Sequence, residues 1–560
     1  MDGSEGVQEL AGVLAGLKER SGLSYQELGR RVFTSSSTLH RYCNGKGTPG
    51  DYDLIVRIAK ECGADADELN KLLRYWRAAT GQGQDPGPVS AAVDRGPSPV
   101  VGTASAGAAV SAATAGPTTR RPAPGMRFVL AAVMALVVLC TAVASAPYEA
   151  ATAAVPASVP APSGATSWAR APKPVDPELF GVTMNSSSGA MPSFRTGALR
   201  LWDSETRWAQ VEPARGEYDW STLDRLLDGA EREGLPALFV FGGTPAWAAP
   251  DARKAPYPDG SRAAPPDDLD DWDAFVRALV RHAGTRIDAY ELWVMANHGH
   301  HYNGSVTTLV EMTRRASRII REVDRNATVV CPSITELWSA EAHEYLLRFA
   351  ELGGYQYCDA AGIKLYQRRI ADPPETMLEA VRKVDRTFQL AGYHLPLWNT
   401  GTTQTLPLND PLEEATAADH AVRFYLTGLY ARNWNLARMY FYAWGNGKIP
   451  LVLQAEGQPP TRAGRFVDRL QQWLADADLR SCGHGVQIAL PENVWQCEFL
   501  IPDGRGTHRT ARIRWTHAGT ADTRAGADAR TVEYLDSTTR EVDHRDTVRV
   551  TERPVLIRYG

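Results

Sequence analysis

Residues Phe128 to Ala146, FVLAAVMALVVLCTAVASA, run for nineteen positions without a charge. At ~1.5 Å per residue a helix over this run spans roughly 28 Å, close to the ~30 Å hydrocarbon core of a bilayer. A buried core helix of that length would show a polar face, and this run shows almost none. It also lies too far from Met1 to read as a cleaved leader. The expectation is one transmembrane helix, 128–146, with separate bodies before and after it.

Flanking charge orients the span. Arg120, Arg121 and Arg127 precede it, and no basic residue follows until Arg170. The positive-inside rule then places the N-terminal part in the cytoplasm and the C-terminal part outside a cell membrane. Residues 81–127 are rich in Gly, Pro, Ala, Ser and Thr and have few large apolar side chains before the span, so burial cannot offset the entropy of ordering them. They read as a disordered linker, and the Ala/Pro-rich residues 147–172 as a second one. The net charge of −5 over 560 residues points to no bulk polyanionic partner.

Cysteine placement fits this topology. Cys43 and Cys62 fall on the reducing side and Cys140 within the span. Cys482 and Cys497 flank a short strand pair and are the best disulfide candidates, whereas Cys331 and Cys358 read as small core residues.

Residues 1–80 are helical by pattern, with Leu28, Val32, Leu39 and Tyr42 at helical spacing. Ser24 with Glu27 forms a capping box, Ser35 can cap the next helix, and Gly45 and Gly47 break it. The stretch LSYQELGRRVFTSSSTLHRYCNGKGTP resembles the helix-turn-helix of the phage-repressor family. That resemblance implies that the second helix enters the DNA major groove and presents Ser36, Ser37, Thr38, His40 and Arg41. Residues 1–79 carry eleven Lys/Arg against eleven Asp/Glu, a neutral balance where DNA binders usually show a basic footprint. A cytoplasmic protein complex and DNA both stand as partners.

From Phe180 onward, eight short β-type runs alternate with helical stretches: 180–185, 198–203, 236–242, 290–296, 328–333, 360–366, 396–401 and 438–444. That count predicts a (β/α)8 barrel, or TIM barrel, over 173–475, with any site at the C-terminal strand ends. Residues 476–560 show alternating runs without helical period and predict a small β-sandwich. The fold class is therefore multidomain: an all-α helix-turn-helix domain, one transmembrane helix, a barrel and a sandwich.

The barrel resembles the retaining glycoside hydrolases of clan A, nearest to family 39. RLWDSETRWAQVEPARGEYDW carries the second-strand pattern and its turn, YELWVMAN the fourth-strand signature, PLWNTG the seventh and YFYAW the eighth. The family's mechanism needs two carboxyl groups about 5–5.5 Å apart, one as acid/base and one as nucleophile. The resemblance places the first at Met295 and the second at Gly401. A thioether transfers no proton and a glycine has no side chain, so both positions are degenerate and the chain reads as a pseudoenzyme. Glu291, four residues before Met295, shares its inward parity but lies roughly 13 Å deeper, at ~3.3 Å per residue, as a buried core acid.

Asp203 and Glu205 after the second strand, and His298 and His300 in the fourth-strand loop beside His301, are the candidate substitutes. Without a carboxylate partner the histidines are no metal signature, and nothing in the sequence asks for a cofactor. Trp202, Trp208, Trp247, Trp293, Trp398 and Trp444, with Asn297, Lys364, Tyr366, Asn399 and Gln404, are the candidate ligand-binding residues, since aromatic faces among polar donors suit a glycan. The sequence thus favours a bacterial-envelope sensor or tether that binds an extracellular or cell-wall glycan without cutting it. A surface-anchored glycoside hydrolase with non-standard residues and a membrane-bound transcriptional regulator are the other two readings.

Overall fold

The computed structural model describes residues 3–79, except 33, 35, 50, 51 and 65, and residues 166–560, except 402–410, 446–448, 504 and 505. The two stretches belong to separate compact units. The expected transmembrane run 128–146 lies outside the described residues, as do both linkers up to residue 165. Among the described residues no helix is long and apolar enough to cross a membrane.

The described residues of the N-terminal unit form five helices: α1 (Gly3–Arg20), α2 (Tyr25–Val32), α3 (Ser36–Cys43), α4 (Tyr52–Glu61) and α5 (Ala66–Ala79). Leu10, Leu14 and Leu17 of α1 recur every three or four residues, so one face meets Leu28, Val32, Leu39, Ile55, Ile58 and Leu72 in a shared core. Ser24 Oγ accepts from the Glu27 amide at 3.0 Å, half of the expected capping box. Gly45 turns the chain after α3 at φ +64°, a conformation costly for a residue with a Cβ.

In the second unit, β2 (Phe180–Met184), β3 (Ala198–Leu201), β4 (Ala237–Val240), β5 (Ala289–Glu291), β6 (Thr328–Ile334), β7 (Ala360–Ile363), β8 (Leu397–Asn399) and β9 (Leu436–Trp444) close into a parallel barrel in sequence order. These are the eight runs read from the sequence. The surrounding helices are amphipathic. In Leu269–Ala283, for example, Trp272, Phe275, Val276, Leu279, Val280 and Ala283 are buried at helical spacing, and Asp268 caps the first turn. Ala198, Leu238, Ala289, Val330, Ala360, Trp398 and Tyr440 cluster together from the strands, so this part of the barrel is packed and not a pore.

The chain then forms β10 (Asp478–His484), β11 (Val494–Pro502), β12 (His508–Thr516), β13 (Ala521–Arg524), β14 (Ala529–Tyr534), β15 (Thr539–Glu541), β16 (Thr547–Val550) and β17 (Val555–Tyr559). With β1 (Trp168–Pro174) at its edge, one sheet runs β1-β10-β11-β12-β17-β14-β15, and β13-β16 form a two-stranded partner. Val548 and Val550 of the small sheet pack with Val532, Val555 and Ile557 of the large one. The edge strand β1 (Trp168–Pro174) begins in residues assigned by composition to the second linker, and pairs antiparallel with β10. Its prolines and exposed side chains hide it from periodicity. A buried ion pair, Arg423 Nε to Glu375 Oε1 at 2.8 Å, is joined by Trp515 Nε1 at 2.6 Å, tying barrel to sheet.

Cys482 and Cys497 are disulfide-bonded, as expected. Cys331 and Cys358 are also bonded, with Cα atoms 5.5 Å apart, which corrects their reading as simple core residues. Cys331 lies in β6 and Cys358 two residues before β7, so strand pairing brings together positions 27 apart in sequence. Cys43 and Cys62 are free and buried.

Candidate functional site

The C-terminal ends of β3 and β5 carry most of the sequence candidates. Past β5 the chain reaches Met295, whose amide donates to Ser333 Oγ at 3.0 Å and whose φ is +45°. Its side chain packs with Trp202, Val240, Val294 and Tyr257. The place where a proton donor is expected is therefore apolar. Gly401 follows β8 with φ +97°. A Cβ there would stand 2.9 Å from Thr183 Oγ1 and 3.6 Å from Arg200 Nη1, so both backbone and neighbours oppose a side chain. Neither Met295 nor Gly401 supplies a carboxylate at its strand end.

Glu291 is fully buried and engaged on both oxygens. It accepts from Arg200 Nε at 2.8 Å, Thr400 Oγ1 at 3.0 Å and Lys364 Nζ at 3.4 Å. Burial alone would raise this carboxyl, but the charges of Arg200 and Lys364 outweigh burial and hold it below the ordinary range. Burial, then the Arg200 charge, pushes the Lys364 ammonium down to about 7. Lys364 also donates to the Thr400 carbonyl at 2.6 Å, so it belongs to this internal cluster.

Asp203 is half-buried at the mouth, where it accepts from Tyr442 Oη at 2.7 Å and Arg207 Nη1 at 3.3 Å. Arg207 in turn binds Asp259 at 2.5 Å, and its guanidinium lies 4.2 Å from the Tyr257 ring centre. Trp202 Nε1 donates to Tyr257 Oη at 3.2 Å, which leaves the phenol hydrogen for His301 Nδ1 at 3.1 Å. Burial, with the charges of His298 and His300, lowers His301 to about 3, so this imidazole is neutral and suited to accept. The loop carrying Tyr257 and Asp259 is thereby fastened over the mouth beside Met295. Glu205 is exposed at φ +60°. The His298 ring lies 5.2 Å from that of His300, and His300 contacts Arg253 Nη2 at 3.0 Å.

The aromatic candidates are packed more deeply than strand-end spacing implies. Trp208 is fully buried and stacks on Phe275 with ring centres 4.8 Å apart. Trp293 is equally buried against Trp272 and Tyr302, and Trp398 lies within the barrel cluster with Tyr440. These three hold the barrel together, a correction to their reading as sugar platforms. Spacing finds strand ends but cannot tell inward-packed rings from open ones. Trp202 and Trp444 are also buried, the latter donating to Gln454, while Trp247 is half-buried under Arg215. Asn399 is consumed by both backbone groups of Leu365, and Asn297 exchanges hydrogen bonds with the Thr335 backbone at 2.9 Å each way. Tyr366 is half-buried near Thr335. Gln404 lies outside the described residues.

Sequence reasoning missed Arg200, Arg207, Tyr257, Asp259 and Tyr442. Only Arg207, four residues after Asp203 in sequence, gave a local signal. The others meet through strand pairing and a long loop.

On α3, Ser36, Ser37, His40 and Arg41 are exposed and Thr38 is half-buried, while Leu39 and Cys43 face the core. The His40 ring also sits edge-on to Tyr25, with ring centres 5.2 Å apart. Ser35, the expected cap, lies outside the described residues.

Residues 9–72 match a helix-turn-helix domain family, and residues 191–274 match a beta-galactosidase family of glycoside hydrolases. No curated protein matches the chain. Among solved structures, it is similar to a family 39 glycoside hydrolase from the gut symbiont Bacteroides cellulosilyticus WH2, at 15% identity over 69% of this chain and 82% of that one, with a TM-score of 0.52. It is also similar to a GH39 beta-xylosidase from Caulobacter crescentus, at 14% identity over 70% of this chain and 98% of that one, with a TM-score of 0.51. At such identity the likeness concerns the fold. The chain carries an N-terminal helix-turn-helix domain and an eight-stranded parallel barrel that shares its fold with these structures.

Proposed function

We propose that this is a single-pass membrane protein whose outer barrel binds a glycan without cleaving it and whose inner helix-turn-helix domain recruits DNA or a protein partner. The observation that carries the reading is the paired replacement at the barrel mouth. Met295 sits in an apolar cluster, Gly401 has no room for a side chain, and the nearby Glu291 is locked beneath them in an ion cluster. Retaining hydrolysis has no second carboxyl group to use at these positions. The mouth still offers Asp203, Tyr366, Trp247 and the His298–His300 pair as polar and aromatic surface.

Two further observations support the topology. Both disulfides lie in the second unit and the free Cys43 and Cys62 in the first, as expected for domains on oxidising and reducing sides. The charge-free run 128–146, with its basic flank, lies between them.

The test combines topology with sugar retention. In intact cells, protease should remove the second unit and spare the first. The full chain should be retarded in gels containing cell-wall polysaccharide and release nothing from chromogenic glycosides. Turnover that vanishes on Asp203→Asn, with folding intact, would instead establish a hydrolase working through that residue.

A further inference from the structure

We propose that a cavity at the N-terminal end of the barrel, opposite the mouth, binds a phosphate group. The cavity, about 150 Å³, lies between β1 and the starts of the barrel strands. Leu179 just precedes β2, and Leu436, Ala437 and Arg438 open β9, which fixes its place at the strand origins.

Four cations line it, Arg170, Lys173, Arg432 and Arg438, against one carboxylate, Asp176. Arg438 is neutralised by Asp176, at 2.7 Å, and by Glu178. Its Nε is buried without a hydrogen-bond partner among the described residues. The other three cations have no carboxylate partner among the described residues. Arg170 donates to the Asn433 carbonyl at 3.0 Å and to Asn433 Oδ1 at 2.9 Å, and Arg432 to the Pro174 carbonyl at 2.9 Å. Burial lowers the Arg432 guanidinium, and the charges of Arg170 and Arg438 add to it, with Asp176 opposing. Cations crowded this way gain most from a multivalent anion.

Lysine and proline on an edge strand deter pairing with other chains, which accounts for Pro172, Lys173 and Pro174 on β1. It does not account for Arg170 and Arg432 turned into one cavity. Arginine forks with several donors suit a tetrahedral oxyanion better than a single carboxylate. Asp476 and Asp478 line the adjoining groove beyond Arg432. The phosphate can belong to an anionic lipid headgroup, since β1 follows the proposed membrane span, or to a soluble phosphate ester.

Trp168 lines the cavity and reports on it by fluorescence. The experiment titrates the full chain, in neutral maltoside micelles, with inorganic phosphate and separately with phosphatidylglycerol, using sodium chloride at equal ionic strength as control. A saturable emission change is expected with at least one of the two. The double variant Arg170→Glu/Lys173→Glu, at exposed edge positions, should keep its unfolding midpoint and weaken binding at least about tenfold. Response to phosphatidylglycerol alone assigns the site to a lipid headgroup, and response to free phosphate to a soluble ligand. The proposal is overturned if neither ligand exceeds chloride, or if the folded double variant binds like the parent.

Discussion

The Arg200 guanidinium holds the Glu291 carboxylate across 2.8 Å, with side-chain exposures of 2% and 0%. The pair joins β3 to β5 inside the barrel, with Lys364 and Thr400 on the second carboxylate oxygen. Removing one member of a buried pair strands the other. Glu291→Gln should therefore lower stability by about 3–5 kcal/mol, measured by urea unfolding. Sugar retention by the folded fraction should not change, because Glu291 does not reach the surface.

Acid should weaken the protein through its buried imidazoles. His301 and His420 are both depressed to about 3, chiefly by burial, whereas the unfolded chain titrates near 6.5. Between those values the unfolded state binds more protons, so stability is present above about 6.5 and is lost as pH falls below it. Glu291 and Glu375, held low by their arginines, extend the loss below their ordinary range. Urea midpoints at pH 7.5 and pH 5 should differ in this direction. His301→Gln should flatten the slope.

Restoring one expected carboxylate should not restore cleavage. Met295→Glu places a carboxyl among Trp202, Val240, Val294 and Tyr257, where desolvation raises its pKa and costs stability. With Gly401 unchanged the expected nucleophile position still has no side chain, so chromogenic glycosides should remain intact. Measurable release would mean that another group supplies the second carboxyl function.

The Cys331–Cys358 bond links two neighbouring strand regions across a separation of 27 residues. Replacing both cysteines by alanine should cost about 2–4 kcal/mol, read as a lowered unfolding midpoint. Alkylation of the unreduced, denatured chain should label Cys43, Cys62 and Cys140 and spare Cys331, Cys358, Cys482 and Cys497.

Arg41 projects from α3 beside Ser37 and His40. If the partner of the helix-turn-helix domain is DNA, Arg41→Ala should abolish sequence-specific retardation by the full chain while leaving helix content unchanged. Absence of any shift at low salt would assign this face to a protein partner.

The barrel was legible because its eight strands are short apolar runs set between amphipathic helices, a pattern that needs no long-range knowledge. The expected catalytic positions, Met295 and Gly401, come from the family resemblance of YELWVMAN and PLWNTG and not from periodicity. The mouth was less legible. Tyr257 and Asp259 come from a loop with no periodic signal and reach Trp202, Arg207 and His301 only through the fold. Trp208 and Trp398 carry the same chemistry as an open platform, and only packing shows that they face inward. β1 escaped detection because an exposed, proline-bearing edge strand looks like linker.

The fate of a bound sugar separates binding without cleavage from hydrolysis. A cell-wall oligosaccharide retained by the full chain should be eluted after prolonged incubation and weighed by mass spectrometry. The oligosaccharide should be recovered intact, with no new reducing ends. Shortened products accumulating with time, and absent for Asp203→Asn, would contradict it.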